Sequence, residues 1–123
     1  MAYSKQAREA MQLKKQYAAL LPTMRTIAKT CGYCLAVHGS QQRDFDLVAV
    51  PWVDDAVKPE MLAEMLRRSV RGFFGPDSPF QKPHGRKVWT IVVPSIEWSG
   101  GNGFIDLGVI TDNTLIADNM GER

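Results

Sequence analysis

The run Cys34-Leu-Ala-Val-His-Gly-Ser-Gln-Gln-Arg-Asp-Phe-Asp-Leu-Val-Ala-Val-Pro-Trp52 decides the fold. Tyr33 to Val37 and Phe45 to Val50 are compact apolar stretches of strand length. Gly39-Ser40-Gln41-Gln42-Arg43-Asp44 between them has turn chemistry, so the segment reads as a β-hairpin of two largely buried strands. Upstream, residues 4 to 20 are rich in helix formers. There Ala7, Ala10, Met11, Tyr17, Ala18 and Leu21 recur at spacings of three and four, the mark of an amphipathic helix. Pro22 suits a first helical turn but not an interior, so Leu21, Met24, Ile27 and Ala28 predict a second helical piece, kinked from the first and stopped at Gly32.

Downstream, Pro51 and Asp54-Asp55 end the hairpin. Pro59 opens a helix with Met61, Leu62, Met65, Leu66, Val70 and Phe73 on one side and Gly72 near its end. Gly75 to Lys87 reads as a proline-rich basic loop. Two further strands follow, Val88 to Val93 and Phe104 to Ile110, joined by Ser99-Gly100-Gly101-Asn102-Gly103. The expected fold is α+β in one domain spanning 1–123. It comprises a basic helical segment over 1–31, a ββαββ sheet core with one helix over 33–110, and a polar, loosely held tail over 111–123. The sheet is expected to be small, mixed or antiparallel, with helices on one face.

The 123 residues suffice for one core and exclude most multi-domain enzymes. Hydrophobic residues at 45% and charged residues at 23% exclude a disordered or low-complexity chain. Apolar runs such as Leu47 to Trp52 fall far short of the roughly 18 residues of a membrane span, and the N-terminus lacks an apolar signal region. A cytoplasmic protein is expected, without a membrane partner. The formal net charge of +2 hides an asymmetry: Lys5, Arg8, Lys14, Lys15, Arg25 and Lys29 against Glu9 make the first 31 residues +5, which leaves −3 for the rest. A basic helical face attracts polyanions at long range, but more often it is only solvated, so nucleic acid is not the expected partner. The apolar stripe through Ala7, Met11 and Tyr17 exceeds what a small sheet needs and predicts a homo-oligomer.

Cys31-Gly-Tyr-Cys34 has dithiol spacing, yet it closes a helix and opens a strand, whereas redox pairs follow a strand and open a helix whose N-terminus stabilises the thiolate. Buried structural thiols are expected. A zinc site from Cys31, Cys34, His38 and His84 is chemically allowable but lacks a second CxxC.

Three carboxylates carry a stronger signal. In Val37-His-Gly-Ser40, Arg43-Asp-Phe-Asp-Leu47 and Phe104-Ile-Asp-Leu107, a Gly-Ser at a strand end precedes an Asp-x-Asp strand and a third strand carboxylate. Alternate residues of a strand share a face, so such carboxylates can grip a divalent metal while Gly-Ser holds a phosphate. Asp44, Asp46 and Asp106 follow that order, and the segment distantly resembles the nucleotidyltransferases. It departs from them in placing only three residues between Ser40 and Asp44, where that superfamily has a helical turn.

The two histidines, each followed by glycine, give a second analogy. His38-Gly-Ser40 and His84-Gly-Arg86 resemble the paired His-x-Thr/Ser motifs of metal-free two-histidine phosphoesterases, in which one imidazole takes a proton and the other gives one. Arg86 stands where a hydroxyl is usual and can ligate phosphate. Trp52, Trp89 and Trp98 fall at or near strand ends, where an indole can stack on a base or simply pack. The blander readings are a hydrogen-bonded His38 near the hairpin turn, Asp44 as a turn residue and Asp106 as a strand-end ion-pair partner.

As wording, Cys34 to Trp52 with Pro83-His-Gly-Arg-Lys-Val-Trp89 and Phe104-Ile-Asp-Leu107 resembles a group of small proteins of tailed bacteriophages and prophages. That resemblance implies a phage accessory protein, by analogy a counter-defence factor in the host cytoplasm that handles a cyclic-nucleotide signal. On this reading His38, His84 and Asp44 are catalytic, Ser40, Arg43, Trp52, Arg86 and Trp89 bind a nucleotide, and no cofactor is needed. If the protein is an enzyme, it is then a phosphodiesterase. The alternatives are a magnesium-dependent nucleotidyltransferase-like enzyme with Asp44, Asp46 and Asp106 as metal ligands, and a non-catalytic protein-interaction module.

Overall fold

A computed structural model describes residues 3–39 and 43–111. Helix α1 spans Lys5–Thr30, opened by Ser4, whose side chain accepts the Ala7 amide at 3.1 Å. It buries Leu13, Tyr17, Met24 and Ala28. The expected break at Pro22 does not occur: α1 runs through the proline as one helix. Pro22 and Ala18, whose carbonyl loses its donor, both lie on the exposed side, where water can satisfy that carbonyl. Tyr17 and Met24 flank the proline and bury in the same core, which overrides its local preference. The stripe expected to drive assembly is divided, since Tyr17 is buried and Met11 is exposed.

Gly32, at φ +90, ends α1, and an added Cβ there would lie 2.7 Å from Val53 and 2.9 Å from Ala56. The hairpin follows as β1, Tyr33–His38, and β2, Asp44–Pro51, paired antiparallel. Helix α2, Pro59–Ser69, starts on its proline and buries Leu62, Ala63 and Leu66. Phe73, expected on the helix, instead starts β3, Phe73–Phe74, and the segment expected as loop contains β4, Phe80–Lys82, and the start of β5, Arg86–Trp98, before β6, Gly101–Ile110. Strands of two and three residues are too short to show an alternating pattern, and both form by pairing with the edge of β5.

The sheet is mixed and six-stranded, ordered β1-β2-β6-β5-β3, with β4 also on β5. Its central pair, β2 and β6, is parallel. One face, built by Leu35, Phe45, Leu47, Ile91, Ile105, Leu107 and Val109, packs with both helices into a single core. The fold is therefore α+β with helices on one face, as the sequence implies. The other face carries the alternate residues and, among the described residues, has no helix on it. Among the described residues no helix is long and apolar enough to cross a membrane. The polar tail beyond Thr111 lies outside the described residues.

Candidate functional site

The strand register lines up one row of polar side chains across the open face. His38 of β1 pairs with Asp46 of β2, Asp46 with Asp106 of β6, and Asp106 with Thr90 of β5. Directly paired residues share a face, so four neighbouring strands each contribute one polar group to this row. Asp44, two residues before Asp46 and level with Phe104, joins it on the same side. Thr90 Oγ1 donates to Asp106 Oδ1 at 2.9 Å, and Ser78 Oγ accepts the Thr90 amide at 2.8 Å.

Three carboxyl groups this close disfavour full ionisation. Asp44 is raised above the usual carboxylate range by burial, then by the charges of Asp106 and Asp46. Asp46 is raised by burial and by Asp106, against the opposing pull of His38 and Lys82. The Asp106 carboxyl lies within hydrogen-bonding reach of both. Gly39, at φ +80, makes room: a Cβ there would lie 2.7 Å from Asp46 Oδ2. The His38-Gly39 dipeptide thus borders Asp46 with both residues, His38 as its register partner and Gly39 by leaving it space.

Cations border this acid centre. Lys82 is close enough to act on Asp46, and it pairs in register with Arg86. Arg86 Cδ lies 3.7 Å from where a Gly108 Cβ would be, so its stem runs over β6 two residues beyond Asp106. Arg43 adjoins Asp44 and, with Trp98, Gln6, Ala7, Glu9 and Ala10, lines an open groove of about 340 Å³ at the start of α1.

The donor set fits a divalent cation in kind, since hard carboxylate oxygens are the ligands magnesium and manganese take. As the side chains stand, no three His, Cys, Asp or Glu residues among those described are set to hold a metal ion. The carboxyls instead approach one another, and binding a cation would require them to turn toward it.

Other expected site residues fall elsewhere. His84, at φ +68, and Gly85, at φ +67, occupy the left-handed positions of the β4–β5 turn. Histidine tolerates that conformation better than most residues, which accounts for the second His-Gly as turn chemistry. His38 and His84 are not brought together. Arg86 lies four residues along β5 from Thr90, about 13 Å, and β1 lies three strand spacings, about 14 Å, from β5. By register the two histidines stand at different levels of the sheet, His38 in the carboxylate row and His84 in the β4–β5 turn beyond Arg86. Trp89 is in the core at 3% exposure and offers no stacking face. Trp52 is exposed, but it lies just past the end of β2, five residues of strand and one more beyond Asp46. Ser40 lies outside the described residues. Cys31 is buried with Sγ 3.5 Å from Met65 Sδ, whereas Cys34 is exposed, so the two thiols face different surroundings and share no site.

Sequence reasoning missed Thr90 and Lys82 as members of the site. Neither carries a motif, and only the register of β4, β5 and β6 reveals them.

No protein-family profile matches this chain, and no curated protein does. Solved structures similar to it include Cid1 in complex with the UTP analogue UMPNPP, at 17% identity and TM-score 0.45 over 91% of this chain and 36% of that one. A mutant of the Cid1 poly(U) polymerase bound to MgATP gives 21% and 0.47, over 86% of this chain and 36% of that one. A cytoplasmic RNA terminal U-transferase gives 21% and 0.43, over 85% and 32%. The chain spans about a third of the length of these structures. Likeness at this level assigns no residue a role.

Proposed function

We propose that this protein is a nucleotidyltransferase-like domain that binds a nucleotide with a divalent cation at Asp44, Asp46 and Asp106. One observation carries the reading: Asp46 and Asp106 are register partners across the parallel β2–β6 pair, with Asp44 on the same face of β2. A bound cation would supply charge to a nucleotide's phosphates and relieve the repulsion among the carboxyls. Arg43, Lys82 and His38 border that centre with groups that can neutralise phosphate, and Arg86 stands level with Lys82. Thr90 holds Asp106 by its hydroxyl, which donates to Oδ1. The resemblance to phage accessory proteins adds a context, in which the nucleotide is a signal handled in the host cell. The metal-free phosphodiesterase reading is not favoured, because His38 lies in the carboxylate row whereas His84 takes a left-handed position in the β4–β5 turn.

The test combines binding with product analysis. Wild-type protein and the Asp106→Asn variant are titrated with MnCl₂ and then with ATP or UTP, followed by thermal shift. Each is also incubated with the four nucleoside triphosphates and a panel of cyclic dinucleotides, with MgCl₂ or with EDTA. Cation-dependent nucleotide binding, lost in Asp106→Asn, supports the reading. Turnover of a cyclic nucleotide in EDTA, or no cation binding at millimolar concentration, overturns it.

A further inference from the structure

We infer that Tyr17 is a positioning residue for the carboxylate cluster, its single hydroxyl tying together the two strand ends from which the carboxylates come. The inference rests on the cation-site reading above. Tyr17 projects from α1 with no exposed surface, and its ring stacks on Phe45 at 5.0 Å and 18°. Its hydroxyl donates to the Arg43 carbonyl at 2.6 Å and accepts the Phe104 amide at 3.0 Å.

Those two backbone groups are not arbitrary. The Arg43 carbonyl belongs to the peptide that leads into Asp44, and the Phe104 amide stands two residues before Asp106. Asp44 and Phe104 form the first rung of the β2–β6 register. Strand ends fray unless something ties them, and a one-residue slip in this pair would carry Asp44 and Asp46 to the wrong face. The hydroxyl closes that end from the helix side, beneath the carboxylates. Tyr17 is also within their field. Burial first, then the charges of Asp44, Asp106 and Asp46 hold its phenol above the usual tyrosine range, so it stays a neutral donor. The ring sits on the core face and the carboxylates on the open face, so Tyr17 acts through the backbone rather than by touching a ligand.

Tyr33 supplies a matched control, because it too is buried and its hydroxyl donates to a backbone carbonyl, that of Val57, at 2.6 Å. It stands level with Pro51, at the end of the sheet away from the carboxylates. Tyr17→Phe and Tyr33→Phe each keep the ring and lose the hydroxyl. Thermal stability is measured alongside Mn²⁺ affinity, read from the paramagnetic resonance of free Mn²⁺. Both variants are expected to lose melting temperature, but only Tyr17→Phe is expected to bind Mn²⁺ more weakly, by at least about fivefold. Equal affinity in wild type and Tyr17→Phe overturns the inference and leaves the cation site standing. Equal weakening in both variants overturns it as well, as general softening of the fold. Absence of Mn²⁺ binding in wild type overturns the inference and the cation site together. A second measurement needs no weakened fold: 3-fluorotyrosine at position 17 is expected to shift its ¹⁹F resonance on Mg²⁺ addition, and the same label at position 33 is not. An unmoved label at 17 counts against the inference even if Tyr17→Phe fails to fold.

Discussion

Asp46 and Asp106 stand opposite one another on adjacent parallel strands, each presenting a carboxyl to the same open face. Like charges directly opposed across a ladder destabilise a sheet, and nothing in the packing of the core requires them there. Asp44 and Asp46 are both raised from the ordinary carboxylate value of 3.8, with burial the largest cause and the neighbouring carboxyls next. Folding therefore takes up protons at these groups. Their cost is absent below about pH 4 and grows as pH rises through the raised folded values. Asp46→Asn is expected to raise the melting temperature at pH 7 by about 2–4 °C in metal-free buffer, with the gain shrinking toward pH 4. A lower melting temperature at pH 7 would show that the pull of His38 and Lys82 outweighs the repulsion.

Gly39 gives a sharper test of how the cluster is built. At φ +80 it adopts a conformation that costs an L-residue roughly 1 kcal/mol, and a Cβ would meet Asp46 Oδ2 at 2.7 Å. Gly39→Ala is expected to lower stability modestly and to weaken Mn²⁺ binding more than Asn substitution at the exposed Asp54, a carboxylate outside the site. Unchanged Mn²⁺ affinity, measured by calorimetry, would mean that the carboxylate moves aside without consequence.

Much of this was legible in the sequence, and the reasons are particular. Helix α2 shows its period plainly and the hairpin strands show as compact apolar stretches, though the structure buries only one face of each, leaving Cys34, Ala36 and Val50 exposed. Asp44 and Asp46 declare a shared face by their spacing alone. Asp106 was reachable only through a resemblance, since its place beside Asp46 depends on β6 inserting between β2 and β5, a long-range pairing that no local pattern encodes. The same limit hid Thr90 and Lys82. His84 misled because turn chemistry and catalytic motifs use the same His-Gly dipeptide. Pro22 misled because its local cost is outweighed by the burial of Tyr17 and Met24 on either side.

The tryptophans separate packing from recognition. Trp89 is 3% exposed within the core, and truncating a buried indole costs about 3–5 kcal/mol, a large share of a small domain's stability. Trp89→Ala is expected to unfold most of the population at 37 °C by circular dichroism. Trp52, 61% exposed, is expected to tolerate alanine within about 0.5 kcal/mol, and nucleotide binding should not change. A loss of nucleotide affinity in folded Trp52→Ala would mean that the ligand extends from Asp46 past the end of β2.

The cysteines test the register of the hairpin with simple chemistry. Cys31 caps α1 beneath the sheet, is 3% exposed, and has its thiol raised above the usual range by burial. Cys34, in β1, is exposed on the open face opposite Val50. Thiolate, not thiol, reacts with alkylating agents, so burial suppresses Cys31 twice, by denying access and by disfavouring the anion. Native protein at pH 8 is expected to take up one equivalent of iodoacetamide rapidly, on Cys34, as located by mass spectrometry of peptides. The second equivalent should enter only in denaturant, or at a rate set by unfolding. Cys34→Ser should abolish the rapid phase without changing stability measurably, whereas Cys31→Ser places a hydroxyl beside Met65 and should lower the melting temperature. Rapid modification of both thiols would show that α1 does not end as described, and a disulfide between them in air-oxidised protein would contradict their placement on opposite sides of β1.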